Sequence, residues 1–148
     1  MKKYKIGFSV GGLLLVLIIM LPNFHWFAVP APNDILRAES VTPTLDMAAS
    51  IAQVLMVIAL CIFVNRDSKG IGVSPFVITT VICCLLYFTG WVFYYQGVTN
   101  AVVILDLCTA PCLAFLFFSL DRKNVFAVIF TVIFAVCHFI SGVINFIL

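Results

Sequence analysis

Two ionisable residues, Asp106 and His138, lie within apolar runs of the sequence. Ionisable groups inside a bilayer are costly, and by default they mark a functional site. An aspartate and a histidine can bind a ligand, relay a proton or serve as an acid and a base. The two side chains can equally bond to each other and only fix the register of two helices. The residues themselves leave both interpretations open.

Polar residues near these two recur at helical spacing. His138, Ser141 and Asn145 stand at positions i, i+3 and i+7, which places them on one face of a helix. A second stripe, at i, i+4 and i+7, consists of Asp46, Ser50 and Gln53. Two further polar residues, Asn23 and His25, end the first apolar run. Of these, Asp46 and His25 are close enough to the membrane surface to be solvated by water.

Asp106 and His138 are predicted to lie at compatible depths in the membrane. The rise of a helix puts Asp106 roughly 8 to 10 Å, and His138 roughly 15 Å, below the predicted outer surface. We therefore predict one outward-facing pocket with Asp106 and His138 as its charged partners. The predicted ligand-binding residues are Asn23, His25, Asp46, Ser50, Gln53, Asp106, His138, Ser141 and Asn145. The alternative is that these polar groups only bond neighbouring helices.

Metal and catalytic chemistry have weaker support. His25, Asp106 and His138 offer nitrogen and oxygen ligands, but no H-x-x-x-H or C-x-x-C spacing fixes a metal geometry. The sequence also lacks G-x-S-x-G, H-E-x-x-H and a nucleotide loop. We therefore predict no metal ligands and no catalytic residues, and the sequence identifies no cofactor. An enzyme that uses Asp and His remains a third interpretation.

The elements that carry these residues are predicted to be membrane helices. Of 148 residues, 64% are hydrophobic and 9% are charged, whereas a soluble domain needs roughly a quarter of its residues charged. A helix needs about 20 apolar residues to cross the hydrocarbon core. Five runs approach that length, at residues 6–27, 45–64, 76–95, 101–120 and 125–148. We predict a single all-α domain, residues 1–148, that forms a bundle of five transmembrane helices.

Lys and Arg predict the orientation. Seven cations fall on one side of the five runs, and only Arg37 falls on the other. Because cations favour the cytoplasmic side, the N-terminus is predicted to be cytoplasmic and the C-terminus outside, in a multi-pass protein of the cell membrane. The seven are Lys2, Lys3, Lys5, Arg66, Lys69, Arg122 and Lys123. A net charge of +2 without a basic stripe gives no indication of nucleic-acid binding.

Small residues suggest close helix contacts. Gly7 and Gly11 form a G-x-x-x-G, a spacing that lets a second helix approach, either within the chain or in a homo-oligomer. Six cysteines lie in apolar runs without a C-x-x-C, and we interpret them as small apolar contact residues. Pro111 interrupts the fourth run and is expected to kink that helix.

The sequence resembles two families. Residues 21–23 (Leu-Pro-Asn), Cys61 and residues 134–138 (Phe-Ala-Val-Cys-His) look like a family of small, uncharacterised membrane proteins of Gram-positive bacteria, which implies location and architecture only. In length, in five spans and in a long first external loop, the chain is also similar to the translocator-protein (tryptophan-rich sensory) family. That family binds porphyrins and other hydrophobic ligands. Its Trp-rich segment is absent here, since residues 38–46 read A-E-S-V-T-P-T-L-D.

The leading functional prediction is a membrane protein that binds a small hydrophobic molecule or a lipid in the outward-facing pocket, as a transporter or sensor subunit. The competing prediction is a non-catalytic partner subunit of a membrane complex, or a homo-oligomer packed through Gly7 and Gly11.

Overall fold

The computed structural model describes residues 3–148, so Lys2, one of the cations used for the orientation, lies outside the described residues. Apart from two short strands and one 3-10 turn, the described chain is helical. The elements are β1 (Tyr4–Ile6), α1 (Val10–Ala28), the 3-10 turn (Ile35–Arg37), α2 (Pro43–Ile62), β2 (Phe63–Asn65), α3 (Pro75–Tyr95), α4 (Ala101–Asp121) and α5 (Val125–Phe146).

The five α-helices are long and apolar enough to cross a membrane. They contain 19 to 22 residues, which corresponds to about 28 to 33 Å of helix against a hydrocarbon core of about 30 Å. Large apolar side chains cover the outside of the bundle, which is the surface a membrane helix presents to lipid. The prediction of an all-α chain with five such helices is confirmed.

The ends of the first two predicted runs are not helical. Residues 4–6 pair antiparallel with residues 63–65, with Tyr4 opposite Asn65. The amides of Gly7 and Ser9 continue this ribbon by donating to the carbonyls of Ile62 and Cys61, at 2.9 and 2.8 Å. The first helix therefore begins at Val10 instead of residue 6, because Ser9 caps it and accepts a hydrogen bond from the amide of Gly12.

Other helix starts follow the same chemistry. Ser74, Asn100 and Asn124 each accept a hydrogen bond from the amide three residues later, at the first turns of α3, α4 and α5. Proline occupies the first helical position of α2 and α3, where its missing amide proton costs nothing. These caps hold the helix ends in register.

The helices form a ring in which each is packed on its neighbours. α3 packs on α4, α4 on α5, and α5 on α2, while α1 closes the ring by contacting α2 and, more lightly, α3. The end of the bundle that carries β1 and β2 is called the strand end below. The opposite end, which carries residues 29–42, is called the loop end.

At the strand end the ring is tightly closed. A Cβ on Gly12 would overlap the backbone carbonyl of Leu60, so α1 and α2 approach as closely as glycine allows. Asn124 donates to the carbonyls of Ala59 and Phe63, both at 2.9 Å, and ties α5 to the end of α2. Gly11 faces side chains of its own chain, and the space beside Gly7 is open enough for a methyl group. The close approach at this end is therefore intramolecular.

Candidate functional site

A cavity of about 420 Å³ lies within the ring toward the loop end. All five helices contribute to its wall, and residues 36–40 contribute to its rim. Pockets for small molecules and cofactors are typically about 300 to 1,000 Å³. The volume therefore lies in the range of a ligand site.

Aromatic rings supply much of the wall. They come from every helix except α2: Trp26, Phe27, Tyr87, Trp91, Phe115, Phe134 and Phe146. The rings of Trp91 and Tyr87 meet edge to face, with centroids 6.3 Å apart, and Trp26 and Trp91 are at the same centroid distance. These contacts hold the aromatic wall in one arrangement.

Seven of the nine predicted site residues line this one cavity: Asn23, Asp46, Ser50, Gln53, His138, Ser141 and Asn145. Each stripe lies on one helix face, and α2 packs directly against α5. The two stripes therefore meet, and α1 adds Asn23 from the opposite side of the cavity.

Three of the seven belong to a dense hydrogen-bond network, here called the Asp46 cluster. It joins α2, α5 and residues 40–42 and consists of Ser40, Thr42, Asp46, Ser141 and Asn145. The hydroxyls of Ser40 and Ser141 donate to the two carboxylate oxygens of Asp46. Asn145 donates to the Thr42 hydroxyl at 2.7 Å and accepts from the amide of Val41 at 2.7 Å. These hydrogen bonds hold residues 40–42 on the bundle.

Asn23 and Ser50 are also bonded within the protein. The side-chain amide of Asn23 donates to the Tyr87 hydroxyl at 2.7 Å and to the carbonyl of Ile19 at 3.0 Å. This contact joins α1 to its neighbour α3 in the wall of the cavity. Ser50 donates to the carbonyl of Asp46 at 2.9 Å, one turn earlier in α2.

His138 and Gln53 differ from Asn23, Ser50 and the Asp46 cluster. Neither side chain makes a hydrogen bond to any residue in the described range 3–148. The imidazole of His138 stacks on Phe134 of the preceding turn, with centroids 5.1 Å apart and the planes 19° from parallel. The stacking fixes the ring plane and leaves the ring nitrogens free. His138, Gln53 and Trp91, whose buried Nε1 also has no partner among residues 3–148, are the lining residues that a bound molecule can bond.

Asp106 does not line the cavity, which corrects its predicted place in the site. Its carboxylate lies against Gly90 of α3, where a Cβ would overlap Oδ2. On α4 the cavity is lined by Leu107, Cys108 and residues farther along the same face. Asp106 lies on another face of α4, so a similar depth does not bring it to His138. Its buried Oδ2 has no hydrogen-bond partner among residues 3–148.

His25 is also outside the cavity, which corrects a second prediction. It is exposed near the end of α1, and its ring lies 5.0 Å from that of Tyr95. Asn23 and Trp26 of the same turn face inward. Asp46, instead of Asp106, is the carboxylate that lines the cavity together with His138.

A carboxylate in the loop, Asp34, organises the rim. It accepts hydrogen bonds from Trp26 Nε1 at 2.8 Å, the Tyr94 hydroxyl at 2.9 Å and Arg37 Nε at 2.6 Å. The Arg37 guanidinium also lies over the Trp26 ring, 4.5 Å from its centroid. Asp34 therefore joins the loop to α1 and α3. This role was not predicted from the sequence, because Asp34 and its partner Tyr94 are far apart in the chain.

The network also sets the charge of Asp34. Burial alone would raise the pKa of this carboxyl, but the hydrogen bonds from Trp26, Arg37 and Tyr94 outweigh it and hold the pKa below its ordinary value. The side chain is 11% exposed. Asp34 consequently stays ionised at neutral pH while it holds the loop.

The cavity opens between α1 and α2. Phe27 on α1 is 62% exposed, and Ser50 on α2 is exposed, yet both also line the cavity. The two helices meet closely at Gly12 and Leu60 near the strand end. Because exposed lining residues stand on both helices toward the loop end, the cavity reaches the outside of the ring beside α1 and α2.

Several residues of the cavity wall and of the Asp46 cluster were not predicted from the sequence. Ser40 and Thr42 belong to a loop whose fold cannot be inferred from periodicity, and Tyr87 and Trp91 resemble ordinary apolar helix residues. Tyr87 and Trp91 stand at i and i+4 on one face of α3, which was the available signal.

Residues 3–148 contain no group of three His, Cys, Asp or Glu side chains close enough to hold a metal ion. Comparisons of the chain with protein-family models, with curated proteins and with solved structures find no match. The site must therefore be interpreted from its own geometry.

Proposed function

We propose that this chain is a multi-pass protein of the cell membrane that binds a small hydrophobic molecule or a lipid in the cavity, as a subunit of a transporter or a sensor. The observation that carries the proposal is that His138 and Gln53 line a cavity of about 420 Å³ without a hydrogen bond to any described residue. Both side chains are half-buried, and a third lining residue, Trp91, has a buried Nε1 without a hydrogen-bond partner among residues 3–148. Buried polar groups are nearly always bonded. A ligand that bonds these side chains accounts for their being unpaired.

The lateral opening supports a ligand that arrives from the bilayer. The opening lies beside the exposed Phe27 on α1 and faces the surface that the apolar helices present to lipid. A molecule dissolved in lipid can then enter without crossing water. The aromatic wall suits an apolar body, and the few polar groups suit one polar end.

The orientation we propose is that the strand end is cytoplasmic. Six of the described cations cluster there, and Arg37 is at the loop end. The six are Lys3, Lys5, Arg66, Lys69, Arg122 and Lys123. Cations favour the cytoplasmic side of membrane proteins, so the cavity then lies in the outer half of the bundle.

Native mass spectrometry of protein released from mild detergent tests the function. We expect a bound molecule on the wild type and a strongly reduced bound fraction on His138→Ala and Gln53→Ala. His25→Ala is the matched control, because the second histidine lies outside the cavity. Asp106→Asn is a second control, because its carboxylate faces α3. A bound fraction that falls equally in all four variants, or that is zero in the wild type, contradicts the proposal.

A further inference from the structure

The cavity has an asymmetric charge. Among its lining residues Asp46 is the one with a formal charge at neutral pH, and neither Lys nor Arg is present. The two salt bridges within residues 3–148 are Asp34 with Arg37 and Asp121 with Arg122. Asp46 therefore lacks a counter-cation in the described chain.

Asp46 is held by hydrogen bonds at the start of a helix. Two hydroxyls donate to its oxygens, from Ser40 and Ser141. The residue stands in the first turn of α2, where the helix dipole stabilises a negative charge. Each carboxylate oxygen has a second lone pair, so the bonds to serine leave capacity for another donor.

The aromatic wall also favours positive charge. The faces of Trp, Tyr and Phe rings attract cations, most strongly where water is excluded. The protein already uses this interaction at the rim, where the Arg37 guanidinium lies over Trp26. Inside the cavity Trp91, Tyr87 and Phe134 offer further ring surface and carry no cation of the chain.

We infer that the ligand is a hydrophobic organic cation, an amine or a quaternary ammonium whose charged centre approaches Asp46 and whose apolar part lies against Trp91, Tyr87 and Phe134. This inference rests on the proposed function and adds the chemical class of the ligand. An anion of the same size is excluded from the cavity by Asp46, which it would have to approach without a compensating Lys or Arg.

Two sources supply such a cation. One is the ammonium headgroup of a membrane lipid, which reaches the cavity through the gap between α1 and α2. The other is a free hydrophobic amine dissolved in the membrane. Both present the same chemistry to Asp46, so competition must distinguish them.

Tetraphenylphosphonium and tetraphenylborate are the probes, because they have nearly the same size and shape and opposite charges. Equilibrium dialysis in dodecyl maltoside measures each on the wild type, on Asp46→Asn and on Gln53→Lys. We expect the wild type to prefer the cation by at least about tenfold. Asp46→Asn should reduce this preference to about threefold or less. Gln53→Lys, which adds a positive charge to the cavity, should abolish cation binding.

Competition with lipid identifies the source. Displacement of tetraphenylphosphonium by phosphatidylcholine or phosphatidylethanolamine, but not by phosphatidylglycerol, assigns the ammonium to a lipid headgroup. Cation binding that none of the three lipids displaces assigns it to a free amine.

The inference and the proposed function fail differently. Equal binding of the two probes to the wild type, or a preference for the cation that is unchanged in Asp46→Asn, overturns the inference. The proposed function still stands if native mass spectrometry shows a bound molecule on the wild type that is lost in His138→Ala. The wild-type comparison needs no variant, so misfolding of Asp46→Asn does not affect it. Absence of both probe binding and a native ligand overturns both.

Discussion

The two ends of the bundle use their polar groups in opposite ways. At the strand end every buried side-chain polar atom in the described chain has a hydrogen-bond partner, and Gly12 brings two helices into backbone contact. At the loop end the helices separate around a cavity, and His138 and Gln53 remain unpaired. Polar groups also bond at the loop end, around Asp34 and Asp46, but there they hold residues 29–42 on the bundle and leave the cavity between the helices. Close helix contact is made at the strand end, so the loop end can keep unused polar groups.

The largest effect that tests this contrast is expected at Gly12. A methyl group there overlaps the carbonyl of Leu60, which is backbone and cannot move away cheaply. Gly12→Ala should lower the free energy of unfolding by about 3 kcal/mol, measured by denaturation in mixed micelles. Gly7→Ala is the control, because its new methyl would meet Val64 at an ordinary 3.7 Å. Equal free energies of unfolding for the two variants would contradict a close contact of α1 and α2 at Gly12.

A smaller loss is expected at Asn124, which is 3% exposed. Asn124→Ala removes the cap of α5 and two bonds to the end of α2, and should cost about 2 kcal/mol in the same assay. Asn100→Ala is the matched control, since Asn100 is exposed and caps only α4. It should cost about 1 kcal/mol. The assignment of the strand end as the secured one fails if Asn100→Ala is the more damaging.

The rim should respond to pH through Asp34. Its folded-state pKa lies below the ordinary value, so its stabilising contribution is complete above that ordinary value and is lost as the pH falls through the folded-state pKa. Asp34→Asn should lower the free energy of unfolding by about 1 to 2 kcal/mol at neutral pH. The variant should also lose less stability than the wild type when the pH is lowered. The control is Glu39→Gln, which alters an exposed acid of the same loop. If Asp34→Asn loses as much stability as the wild type when the pH is lowered, the role of Asp34 is contradicted.

The smallest effect on stability is expected where the polar groups are unpaired. Gln53→Leu removes no hydrogen bond of the described chain, so the free energy of unfolding should change by less than about 0.5 kcal/mol. Ligand binding should nevertheless fall. The matched comparison is Ser141→Ala, which removes a donor to Asp46 and should cost about 1 kcal/mol or more. A larger loss for Gln53→Leu than for Ser141→Ala would show that Gln53 holds the fold.

The sequence predicted residues better than it predicted their partners. Helical spacing correctly grouped His138 with Ser141 and Asn145, and Asp46 with Gln53, because residues on one helix keep fixed relative directions. It paired His138 with Asp106, however, because similar depths were taken for proximity. Asp106 has the right depth and lies on a different face of α4, beside Gly90. Ser40 and Thr42 of the Asp46 cluster were missed because a loop has no period.

The sequence by itself determined that there are five apolar helices, where most of them begin, and which polar residues share a face. Local chemistry is sufficient for these features, since caps, prolines and periodicity act within a few residues. The tertiary structure decided how each helix is rotated, that β1 pairs with β2, and that His138 and Gln53 line the cavity without a hydrogen bond to residues 3–148. In a membrane both lipid and protein interior are apolar, so hydrophobicity does not indicate which face of a helix turns inward. Only packing, as at Gly12 and Gly90, sets that rotation.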